Sequence, residues 1–150
     1  MSFPFSVKHA VRLEARIDSD DYPLILEHIS KFIKNKGAED IVIQNNVLNF
    51  KSHISERNHI MEPVNKGIFS LIEQDGMVTL IYNFFMFKHI VVISSILAIV
   101  MGVVSQNLIF AFFAFLALCG MNWFIPLARH RHMLDDLAAE IELLIQEEKL

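Results

Sequence analysis

Six cations near the start of the chain have spacings that could gather an anion: Lys8, Arg12 and Arg16, then Lys31, Lys34 and Lys36. In an extended segment a step of four keeps side chains on one face, so the first three make a basic stripe. A nucleotide or an oligonucleotide is the anionic ligand they would suit. Binding phosphate needs donors that converge, however, and solvated surface charges are the competing reading. Histidine raises the question of a metal. His53 and His59 share a segment with Glu56, and His130 and His132 flank Arg131. Neither pair has the spacing of a zinc site, and the single cysteine, Cys119, cannot complete one. No metal or cofactor is expected. A phosphate-binding glycine loop, an HExxH pair and a nucleophile elbow are all missing, so no enzymatic activity is expected either.

The elements that would position these residues are legible from their periods. Val7, His9, Val11, Leu13, Ala15 and Ile17 alternate with polar residues or alanine, which predicts a strand with one wet face and makes His9 a core histidine. A helix follows, capped by Ser19, Asp20 or Asp21, with Pro23 in its first turn and Gly37 ending it. Ile25, Ile29, Phe32 and Ile33 form its apolar face. Ile41 to Ile43 and Val47 to Phe50 read as a hairpin about Asn45-Asn46, and residues 51–66 as a polar loop. Gly67 to Glu73 and Met77 to Asn83 form a second hairpin about Asp75-Gly76, a dipeptide suited to a type I′ turn. The order β-α-β-β-β-β predicts an α+β fold, a small antiparallel sheet with one helix on a face.

From Ile90 to Ala128 the chain has no Asp, Glu, Lys, Arg or His. As one helix that run would be about 58 Å long, against a hydrocarbon core of about 30 Å. The sequence therefore predicts a transmembrane helical hairpin, about 86–104 and 108–128, turning at Ser105-Gln106-Asn107. Lys88, Trp123, Arg129 and Arg131 fall where interfacial anchors would, and Arg129 to His132 read together as one anchor. The basic residues flank the run and the turn has none. That places both termini in the cytoplasm and the protein in the inner or plasma membrane.

Small residues recur inside the run. Ser94, Ala98 and Gly102 lie four apart, and Ala111, Ala114, Ala117 and Gly120 lie three apart, rows that permit close helix approach. They either zip one hairpin together or pack against a neighbouring subunit. A lone hairpin would do little to shield Ser94, Ser95 and Asn122 from lipid, which favours a homo-oligomer. Beyond the run, residues 129–150 predict a short amphipathic acidic helix with Leu134, Leu137, Ile141 and Leu144 in a stripe. Docking on this chain's own sheet or a neighbour's, or self-association, are the roles open to it.

Two functions fit this layout of a cytosolic domain over residues 1–85, a membrane module over 86–128 and a tail. One is a channel or membrane-perturbing effector whose cytosolic domain senses a ligand or partner, an architecture also used by some bacterial defence effectors. The other is a non-conducting anchor carrying a module that docks a protein partner. Membrane lipids are partners in both.

Overall fold

The alternation beginning at Val7 forms β1 (Ser6–Arg12), which pairs antiparallel with β5 (Met77–Met86). Alternate burial continues to Ile17, but β1 ends earlier because its partner strand runs out at Met77. The Leu13 N–H still donates to the Val78 carbonyl at 2.9 Å, while the Glu14 N–H donates to the Glu142 carboxylate at 2.6 Å. The computed structural model describes residues 6–52, 64–86 and 88–149. Within its strands and helices, the side chains of Asn65, Met86, residues 88–91, Leu108, Ala111, Cys119, Asn122 and Trp123 lie outside the described set.

A short 3-10 turn at Ser19–Asp21 leads into α1 (Tyr22–Asn35). The Asp21 carboxylate accepts the Asp18 N–H at 2.9 Å and so fixes the entry. Ile25, Leu26, Ile29 and Ile33 are buried, whereas Phe32, expected on that face, is half-buried. Gly37 ends the helix at φ 95°, with its N–H on Lys34 O and that of Ala38 on Ile33 O. That is the left-handed termination glycine permits at low cost.

The remaining strands are β2 (Glu39–Gln44), β3 (Val47–Lys51) and β4 (Val64–Gln74). All pairings are antiparallel, in the order β1-β5-β4-β3-β2. Asp75 and Gly76 both take positive φ, as the type I′ turn requires. Two boundaries differ from expectation. β4 takes Val64 to Lys66 from the expected loop, because Val64 is wholly buried and pairs with Met86. β5 extends through Phe84–Met86, because β1 and β4 supply partners on both sides as far as Phe85.

Beyond the sheet come α2 (Lys88–Ser105) and α3 (Leu108–Glu148), separated by Gln106 at φ 51° and Asn107. The Asn107 side-chain oxygen accepts the N–H groups of Ile109 and Phe110, capping α3. The acidic tail is not the separate short helix expected. Residues 123–148 contain no glycine or asparagine to stop a helix, and α3 continues through Pro126 to Glu148. Among the described residues, no helix is long and apolar enough to cross a membrane.

The chain divides into two compact units, Met1–Met86 with His130–Leu150, and Phe87–Arg129. In the first, α1 and the end of α3 cover one sheet face. Leu134, Leu137, Ile141 and Ile145 are buried there, and the His28 ring meets the Glu140 carboxylate at 3.1 Å. Lys149 binds the Arg16 carbonyl at 2.6 Å and the Asp21 carboxylate at 3.1 Å. Among the described residues of this unit, no helix lies on the other sheet face.

Candidate functional site

On the covered face, alternation along β5 aims Leu80, Tyr82 and Phe84 inward, opposite Val11, His9 and Val7 of β1. Phe69 of β4 stacks on Tyr82 at 4.3 Å between centroids, and Phe50 of β3 lies beside Phe69 at 6.0 Å. Gly67 leaves the space Phe50 occupies. A Cβ there would stand 2.3 Å from two of its ring carbons.

This aromatic wall receives His130, the residue at which α3 enters the first unit. His130 is wholly buried, its Nδ1 is 3.1 Å from the Tyr82 hydroxyl, and its ring stacks on Phe84 at 4.5 Å. Burial holds the Tyr82 phenol far above its ordinary pKa, so it stays protonated. His130 therefore belongs to the core and not to an interfacial anchor, whereas Arg129, Arg131 and His132 are exposed. The signal for this was present: His130, Leu134, Leu137 and Ile141 continue one stripe at spacings of four, three and four. His9 flanks the same wall, 5.7 Å from Phe84. Its Nε2 is enclosed and has no hydrogen-bond partner among the described residues. Burial and then the Arg131 charge lower its pKa, partly offset by Asp135. The arrangement can take up or release a proton at His9.

The six cations do not share a face. Lys8 and Arg12 project from the uncovered side of the sheet, in register with Asn83 and Thr79. Lys31 and Lys34 lie on α1 and Lys36 directly after it, across the sheet. Lys31 pairs with Glu27 at 2.8 Å and Lys36 lies over the Phe32 ring. Arg16 follows β1, its carbonyl held by Lys149. The uncovered face has two cations that spacing did not reveal. Lys51 and Lys66 stand opposite each other on β3 and β4, and Lys66 lies over the Phe85 ring at 4.4 Å. They border a cavity of about 500 Å³ with Asp40, Val42, Asn49 and Ile68. Asp40 meets Lys51 at 3.8 Å, and Glu39 is its cross-strand partner, so carboxylates offset part of that charge.

In the second unit Ser94 and Ala98 are buried and Gly102 is half-buried, so one chain by itself shields Ser94, contrary to expectation. The α2 and α3 helices border an apolar cleft of about 720 Å³ that includes Ser95, Ala98, Gly102, Gln106, Phe112 and Phe115. On α3, Ala114 and Gly120 are half-buried and Ala117 is exposed. The side chains of Lys88, Ala111, Asn122 and Trp123 lie outside the described residues, as does the whole segment holding His53, Glu56 and His59. Among the described residues no three His, Cys, Asp or Glu side chains are grouped to hold a metal. No protein family, curated protein or solved structure matches this chain.

Proposed function

We propose that this chain is a homo-oligomeric membrane protein whose Phe87–Arg129 unit lodges in a bilayer, both termini being cytoplasmic. Its α+β unit controls that membrane part, which acts as a channel or membrane-perturbing effector. The observation that carries this reading is the surface of the second unit. Ile99, Val103, Ile109 and Phe124 are 65%, 72%, 70% and 69% exposed, while the polar Ser94 is 3% exposed. Apolar side chains outside and a hydroxyl inside suit lipid and not water. The uncovered sheet face, with Lys8, Arg12 and Lys66, is the surface offered to an anionic ligand or an acidic partner.

Liposome flotation and dye release test this together. The full chain should float with vesicles and release a trapped dye. Gly102→Phe, which fills the cleft between α2 and α3, should float equally well and abolish release. Flotation without release by either protein would favour the alternative, a non-conducting anchor for a protein-docking module. A chain that stays at the bottom of the gradient would overturn both readings.

A further inference from the structure

The first unit holds both ends of the segment between residues 87 and 129. β5 delivers the chain at Met86, and α3 returns it at His130. Those ends are tied together only a few residues from each exit. The Tyr82 hydroxyl bonds His130 Nδ1, Phe84 stacks on the His130 ring, and His9 closes over Phe84 from β1. Imidazole is the side chain whose ordinary titration falls between pH 5 and 8. His9 is badly placed to accept a proton while α3 is seated. Its Nε2 is enclosed without a hydrogen-bond partner among the described residues, so the added N–H would be buried unsatisfied.

We propose that His9 is the sensor of a proton-operated latch, in which its neutral ring keeps α3 seated on the sheet and its protonation unseats α3 around His130. The groups facing it decide the sign. From β5 come Tyr82, which stays neutral, and Phe84, which offers no acceptor. From α3 come Arg131, which repels an added charge, and Asp135, which attracts it more weakly. Burial acts in the same direction as Arg131. The seated state therefore binds a proton less readily than the open one. The latch keeps its full strength above the ordinary imidazole pKa and loses it as the pH falls below that value. At one pH unit below its ordinary pKa, one imidazole can favour opening by at most about tenfold, the ceiling reached when the seated ring takes no proton. The latch itself does not require a membrane. Its consequence, freeing the two ends of the hairpin from each other, rests on the reading above.

Hydrogen exchange of the full chain in mild detergent tests it, reading the amides of residues 133–145 at pH 7.5 and 5.5 after correction for intrinsic rates. The expected result is a fall in protection of up to about tenfold in the wild type, and none in His9→Phe, which keeps an aromatic ring but cannot be protonated. Unchanged protection in the wild type overturns the latch, as does an equal fall in the variant. If His9→Phe does not fold, His9→Gln provides the same comparison with a neutral polar side chain. Flotation is scored separately, so a chain that ignores vesicles yet shows the pH-dependent exchange keeps the latch and loses the membrane role.

Discussion

Gly67 and Gly76 show two reasons a chain needs glycine, and substitution separates them. At Gly67 the obstacle is Phe50, whose ring fills the space a Cβ would take. At Gly76 nothing stands within 4 Å, and the obstacle is the backbone itself at φ 72°. Gly76→Ala should cost about 1–2 kcal/mol, the price of a left-handed L-residue. Gly67→Ala should cost about 1–3 kcal/mol through overpacking. Adding Phe50→Leu should recover part of the loss at Gly67 and none at Gly76. Denaturant titration of the four variants measures both. Asn45 and Asp75, also at positive φ, sit in turns where such residues are tolerated at smaller cost.

At the scale of elements, the end of α3 is the second covering helix of the sheet. Its stripe was readable in the sequence, but the surface it meets was not, since docking on the chain's own sheet and docking on a neighbour present the same pattern. Leu137 is wholly buried. Leu137→Ala should therefore destabilise the first unit by about 2–5 kcal/mol, the range for truncating a buried leucine. Leu143→Ala, on the exposed side of the same helix, should change stability by less than about 0.5 kcal/mol. A thermal melt distinguishes them, and equal losses would contradict this seating of the helix. The register of the hairpins was fixed locally by Asn45-Asn46 and Asp75-Gly76. The lengths of β1, β4 and β5 were not, because a strand extends only as far as its neighbour does.

For the molecule as a whole, two titrations give stability two separate acid steps. His9 has a lowered pKa, so its contribution is present above the ordinary imidazole range and is lost as the pH falls toward 5. The Asp21 carboxyl is also lowered, first by the Asp18 N–H and then, against some desolvation, by Lys149. Its contribution is present above the ordinary aspartate pKa and is lost only in stronger acid, below about pH 4. Melting temperature against pH should show both steps in the wild type. His9→Phe should remove only the first and Asp21→Asn only the second.

The sequence by itself determined what periodicity and turn chemistry encode: an alternating first strand, an amphipathic helix ended by Gly37, two hairpins, and an uncharged stretch that folds back at Gln106-Asn107. These are local, because a period of two or of three to four assigns a face without reference to any partner. Tertiary structure alone decided which distant residues share a face. Lys8 and Arg12 fall across the sheet from Lys31, Lys34 and Lys36, while Lys51 and Lys66, far apart in sequence, meet in register. His130 looked like part of a cationic membrane edge because of Arg129 and Arg131 beside it, yet it is buried against Tyr82 and Phe84. Neighbours along the chain set the local charge, but the pairing of β5 with β1 creates the aromatic wall that an imidazole ring can join.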